Sequence, residues 1–300
     1  MEKTLTWRAR ERDAFDRSEG KEFKGKTLVL GNNYHSIQEY ALKNNVKVKE
    51  AEISDTVTVI GMQSFYHCTG LRNINLEGVS QIRKEAFSGC IRLKEAKFSD
   101  KLWMLGKYSF SQCKRLEAIK FEGEKLRKLE KGTFQECESI EKICIPKGME
   151  SIGDRAFYRC INLHQVIFPE QGLKSIGREA FYWTGIQEIE FPDSLEEIGE
   201  SAFLKSKMLE KAVLPSSVRK IGKWAFHGCS KLKVLEIQGE PEEIGEWIVN
   251  KSTIIRCRRG GRTEKYAQDA GFAVEYLYKG KRRTGYEKEA RSVYQSPANG

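Results

Sequence analysis

The 300-residue chain lacks most of the features from which a function is usually read. No stretch approaches the roughly 20 consecutive apolar residues of a membrane-spanning helix. Residues 1–12 hold no apolar run of the kind found in a secretory leader. As written, the chain is therefore expected to be soluble and cytoplasmic; a cell-surface location would require it to be a piece of a longer protein. Eight cysteines are too few for a disulfide scaffold, and none forms the C-x-x-C pair of common zinc sites. No phosphate-binding loop, H-E-x-x-H or EF-hand pattern occurs. The four histidines, His35, His67, His164 and His227, stand beside no recognisable nucleophile motif. No catalytic residue, cofactor or metal site is expected, and no small-molecule substrate.

What the chain has is repetition. Phe65, Phe87, Phe110, Phe134, Phe157, Phe181, Phe203 and Phe226 recur at steps of 22 to 24 residues, each with the same neighbours. Eight residues before each Phe is an apolar residue (Val57 to Val218), and five before is Ile or Leu (Ile60 to Ile221). One before is always small, as in Ser64, Ala86 and Thr133. Three after is Cys68, Cys90, Cys113, Cys137, Cys160 or Cys229, with Thr184 and Ser206 in the remaining coils. Those two residues indicate that the place needs a small side chain and no sulfur bridge, so the six cysteines are expected to be buried free thiols.

The spacing of Phe and Cys predicts one short helical turn, with the small residue allowing close packing. An apolar triplet such as Leu71, Ile74, Leu76 follows, its last two members alternating with polar residues as in a half-buried strand. Proline occurs only six times, and Pro146, Pro169, Pro192 and Pro215 each directly follow such a strand, where a missing amide ends ladder pairing. Gly61, Gly106, Gly153, Gly177, Gly199 and Gly222 follow the Ile or Leu and are expected to make a tight turn. A period of 22 to 24 residues means stacked coils, each burying its apolar side against the next.

The segment Ile152-Gly153-Asp154-Arg155-Ala156-Phe157-Tyr158-Arg159-Cys160-Ile161-Asn162-Leu163 resembles the BspA-like subclass of bacterial leucine-rich repeats. The resemblance covers about residues 53–250, with a degraded ninth coil around Ile244 to Val249. It implies an α/β repeat solenoid: a curved parallel sheet on the concave side, with short helical turns and short extended segments on the convex side. It also implies binding of a protein partner, often at a bacterial surface.

The ends carry a second duplication. Thr27-Leu28-Val29-Leu30 stands thirteen residues before Tyr40, as Thr253-Ile254-Ile255-Arg256 does before Tyr266, and both segments read as strand, loop, short helix, strand. The copy at 253–278 is expected to cap the C-terminal end. The copy at 27–52 either caps the first coil or once closed an earlier array; little in the charged segment 1–26 fits a lost array, which favours a cap. The repeat array is placed at 53–252, and the polar basic tail at 279–300 is expected to be disordered.

The net charge of +10 lies at the ends. Residues 1–50 are net +3 and residues 256–300 net +6, leaving the array at +1. A nucleic-acid partner is therefore not expected on the array. The remaining candidate is the exposed side of the sheet: Asn73, Asn75, Glu95, Lys97, Lys120, Lys142, Gln165, Glu188, Glu190, Lys211 and Glu236, with Gln238 and the apolar Ile167 and Val213 in the same register. Lys97, Lys120 and Lys142 are expected to stack about 5 Å apart as a positive ridge. The expected function is a non-catalytic interaction module that holds a protein of unknown identity on this face. The alternatives are a fragment of a surface adhesin for host or matrix protein, or a binder of nucleic acid or membrane surfaces through the basic tail.

Overall fold

Three lines of hydrogen bonds run along the molecule, one for each side of its coils. The structure is a computed structural model and describes residues 13–277. Along the concave side lie strands of two to four residues, such as Glu95–Phe98, Ala118–Phe121 and Lys211–Leu214. Two-residue strands form a second line, eleven in all, in runs of five and six. Pairing is parallel and in register, so that Ile152, Ile176, Ile198 and Ile221 stand in one row. The expected leucine-rich solenoid is the fold found, and it contains little helix.

The third line is the turn that carries the Phe, and it is tighter than the helical turn read from the sequence. Arg155 and Arg159, two before and two after Phe157, are left-handed, with φ of 55° and 57°. Left-handed residues recur at these two places from Tyr40 to Trp247, most of them not glycine. The alternation aims every second amide at the next coil. Arg155 donates to Arg178, Phe157 to Ala180 and Arg159 to Tyr182, at 2.9, 2.8 and 2.8 Å. The intervening amides close turns within the coil, as Cys160 does onto Phe157 at 3.2 Å. A spacing of three fits a series of tight turns as well as a helix, and the inter-coil bonds favour the turns.

The glycines after the Ile or Leu serve closeness rather than turning. None of Gly153, Gly177, Gly199 and Gly222 has a left-handed φ, yet a Cβ on any of them would lie 2.3–2.7 Å from the preceding coil. Inside, the eight phenylalanines form one stack, with ring centroids 5.0–5.7 Å apart and planes within 26° of parallel. A single apolar core extends from Phe15 to Phe272.

The expected strand–helix–strand unit at 27–52 is corrected by the structure. This segment is another coil. Its strand Thr27–Leu30 pairs with Glu50–Ile53, and Ser36–Ile37 pairs with Val59–Ile60. Tyr40, Leu42 and Asn44 donate to Met62, Ser64 and Tyr66 at 2.9, 2.7 and 2.7 Å, so Leu42 takes the place of the Phe and Ala41 that of the small residue. The coil hydrogen bonds override a weak local helical pattern. Residues 13–26 also belong to the solenoid: Phe15 pairs with Ile37, at the Ile position rather than the Phe position. Helix α1 (Arg17–Glu22) then replaces the turn, started by an Asp16–Glu19 capping box. Gly20 lies so near Ala41 that a Cβ would clash with its carbonyl.

At the other end, Ile254–Cys257 and Val274–Tyr276 extend the concave sheet. Between them α2 (Arg262–Asp269) replaces the second strand and the turn. Its Gly261 N-cap offers no side chain, and Glu240 of the preceding coil accepts from the Thr263 amide instead, at 3.1 Å. The tail expected to be disordered at 279–300 lies outside the described residues.

Candidate functional site

On each concave strand the central residue points inward and its neighbours outward, which makes two exposed columns. Asn73, Glu95, Lys142, Gln165, Glu188 and Lys211 precede the buried residue. Asn75, Lys97, Lys120, Glu190 and Glu236 follow it. The columns correct the expected lysine ridge. Lys97 and Lys120 are paired in register, but Lys142 pairs with Gln165 in the other column. The place after the buried Ile143 belongs to Cys144, which pairs with Ile167. Coil lengths differ by a residue or two, and counting from strand to strand without the register merged the columns.

Several candidates are already engaged. The Asn75 amide takes over main-chain pairing where the strand Asn73–Ile74 ends: its Oδ1 accepts from the Ile53 amide at 2.7 Å and its Nδ2 donates to the Ile53 carbonyl at 2.5 Å. Lys97 forms an ion pair with Glu122 at 3.0 Å, and that hydrogen bond, first among the causes, raises its pKa. Glu236 and Glu275 flank Arg256, at 3.2 and 2.8 Å, and the bond to Glu275 is the main cause that raises the guanidinium pKa. Glu188 stands opposite Lys211. Lys120, Lys142, Gln165 and Glu190 remain exposed in the middle of the face. Ile167 and Val213 are half-buried there and add apolar area between the charges.

A net-charge count missed a cluster at the edge of this face. Arg72, Arg92, Lys94 and Arg115 surround a cavity of about 420 Å³, with Glu50 and Asn73. Arg72 and Lys94 are 22 residues apart and Arg92 and Arg115 23 apart, so the coil period brings them together. In the following coils the place of Arg72 and Lys94 is taken by Glu117 and Glu141. Reading charge by column would have found the cluster.

The histidines have structural surroundings. Nδ1 of His164 lies 3.2 Å from the Gly185 carbonyl, and that of His227 lies 3.3 Å from the Val249 carbonyl. The His67 ring fills the space beside Gly89. Among the described residues no group of three or more His, Cys, Asp or Glu is placed to hold a metal ion, and no helix is long and apolar enough to cross a membrane.

The profile of the BspA type leucine rich repeat region matches residues 35–164 and 127–256, in six copies. A leucine-rich repeat protein from Bacteroides ovatus superposes with a TM-score of 0.66 at 25% identity, covering 85% of this chain. The chain spans 66% of that protein's length. A leucine rich cell surface protein from Faecalibacterium prausnitzii has a TM-score of 0.49 at 20% identity, with 89% of this chain and 83% of that chain covered. No curated protein sequence matches the chain.

Proposed function

The chain belongs to the BspA type leucine rich repeat family, and on that premise we propose that it is a non-catalytic module that holds a protein partner on the exposed side of its concave sheet. The observation that carries this reading is the open centre of the face. Lys120, Lys142, Gln165 and Glu190 stand exposed on successive coils, interleaved with half-buried Cys144, Ile167 and Val213. Mixed polar and apolar area spread over neighbouring coils suits a partner that lies across several of them, which is how solenoids commonly recognise proteins.

The test compares three forms of the full chain, immobilised and exposed to extract of the native host. These are the unmodified protein, the double variant Lys120→Glu with Lys142→Glu, and a form cut after residue 278. A protein retained by the first and third and lost by the second supports the sheet face. Retention by the double variant with loss on truncation would make the basic tail the functional element instead.

A further inference from the structure

The first coils hold a cavity that the sheet-face reading does not use. It measures about 760 Å³ and lies between α1 and the turn at residues 40–47. Among the described residues, Arg17, Lys21, Lys24, Lys43 and Lys47 line it, and no carboxylate does. Lys43, Lys24 and Arg17 meet neutral groups among the described residues. Lys43 donates to the Gln63 side chain at 2.7 Å and Lys24 to the Lys21 carbonyl at 2.5 Å. The Lys43 ammonium also stands 5.2 and 5.1 Å from the ring centres of Tyr40 and Tyr66, and the Arg17 guanidinium 6.0 Å from Tyr40. Such contacts hold a cation in place without cancelling its charge. Many lysines of later coils are differently arranged: Lys114, Lys220 and Lys223 pair with Glu138, Glu243 and Glu246 at 3.0, 2.6 and 2.7 Å.

The cavity is also partly apolar. Buried Phe23, Ala41 and Leu42 contribute to its wall, and Val46, 61% exposed, stands at its rim. A positive field beside an apolar wall suits a ligand that carries carboxylates and an apolar side chain together. A sulfated glycan would supply the charge but nothing for the wall. Four of the five cations are lysines, which lack the planar fork that matches phosphate or sulfate in two bonds. The next cavity along the same edge begins at Glu50, three residues past Lys47, and brings Arg72, Arg92, Lys94 and Arg115.

We propose that this N-terminal edge is a second binding surface, which takes an acidic peptide segment with an apolar anchor. It does not depend on what the concave sheet binds. The test is fluorescence anisotropy of the full chain with a labelled short peptide of glutamates and interspersed leucines. A leucine-free glutamate peptide of equal charge and low-molecular-weight heparin serve as comparators.

The leucine-containing peptide is expected to bind most tightly. Lys21→Glu with Lys47→Glu should weaken it at least tenfold, Lys21→Gln with Lys47→Gln less, and Val46→Ser several-fold. Lys120→Glu with Lys142→Glu should leave it unchanged, which separates this surface from the sheet face. Circular dichroism of each variant checks that the fold is kept. Failure of the peptide to bind at low salt overturns the proposal, as does equal affinity for the leucine-free peptide. Heparin binding that needs the same lysines, without peptide binding, would make the site one for sulfated glycan, and loss only in the sheet-face variant would move it to the sheet.

Discussion

The thiol of Cys160 donates to the main-chain carbonyl of Phe134, 3.1 Å away in the coil before it. The same contact joins Cys90 to Phe65, Cys113 to Phe87, Cys137 to Phe110 and Cys229 to Phe203, at 3.1–3.3 Å. Cys68 makes it to Leu42 at 3.1 Å, and Ser206 makes it with a hydroxyl to Phe181 at 2.9 Å. All eight cysteines are free, and the six of the repeat are buried. In seven of the eight coils the position thus holds a small side chain with a donor aimed at the neighbouring coil, whereas Thr184 turns its hydroxyl to Phe181 of its own coil at 3.2 Å. A thiol supplies the donor while behaving as an apolar group.

Cys160→Ser keeps the donor and is expected to cost no more than about 1 kcal/mol. Cys160→Val removes the donor and adds volume in a closed core, at about 1–3 kcal/mol. Urea unfolding of the two variants should rank them in that order; the reverse order would remove the hydrogen bond from the explanation.

Alkaline pH should weaken the fold. Burial pushes the Cys68 and Cys229 thiols up to about 12 and that of Cys257 to about 11, from an ordinary 9.0. Between these values the unfolded chain loses thiol protons that the folded chain keeps. Stability is therefore full below pH 9 and lost as pH rises towards 12, by about 1.4 kcal/mol per pH unit for each such thiol. The difference between urea midpoints measured with reductant at two pH values in this window should shrink when Cys68 and Cys229 are both changed to Ser. Burial of Cys90, Cys113, Cys137, Cys160 and Cys257, whose thiols are also pushed up, keeps part of it. An unchanged slope would place the alkaline loss elsewhere.

Phe157 lies between Phe134 and Phe181, at 5.6 and 5.2 Å, and is fully buried. Phe157→Ala should cost about 3–5 kcal/mol in equilibrium unfolding. Phe65 stacks on Phe87 alone, at 5.1 Å, but is buried as completely because the coil of Leu42 lies beneath it. Phe65→Ala is expected to fall in the same range, and a cost below about 1 kcal/mol would mean that residues 27–53 are only loosely attached.

Gly153→Ala tests the close approach of coils. The added Cβ would meet the Leu129 carbonyl oxygen at 2.6 Å and the Glu130 and Lys131 main chain at 3.0 and 3.1 Å, all of it backbone of the preceding coil. A loss of about 2 kcal/mol or more is expected. At Gly260, φ is +77° and nothing lies within 4 Å, so Gly260→Asn should change stability by no more than about 1 kcal/mol. Thermal unfolding of the pair decides whether space or backbone angle governs these glycines.

The coil was legible in the sequence because each buried position repeats eight times, so chance apolar residues average out. Coil boundaries, the Phe stack and the thiol row could all be counted from the Phe. What was not legible occurs once or depends on register. Leu42 in place of a Phe hid a coil at residues 27–53. Phe15 stands at the Ile position of its coil, where no other coil carries a Phe. The left-handed residues of the turn are Gln, Glu, Tyr, Arg, Trp and others, with no residue type to announce the angle. At the candidate face, the list of outward residues came from strand alternation, but one-residue differences in coil length moved Lys142 to the other column. The engagement of Asn75 with the Ile53 main chain involves a side chain and a backbone 22 residues apart, which no local pattern reports.

The alternating turn also makes the array directional. Along the row of phenylalanines each coil gives its amide hydrogens to the next coil and receives them from the one before. Parallel strands exchange bonds both ways and have no such sense. A coil added ahead of the first must therefore bring donors, and one added after the last must bring acceptors. The two ends are not interchangeable, and a helix that closes one would not close the other. Copies of this architecture could extend one another head to tail, but two like ends brought together would oppose donor to donor or acceptor to acceptor.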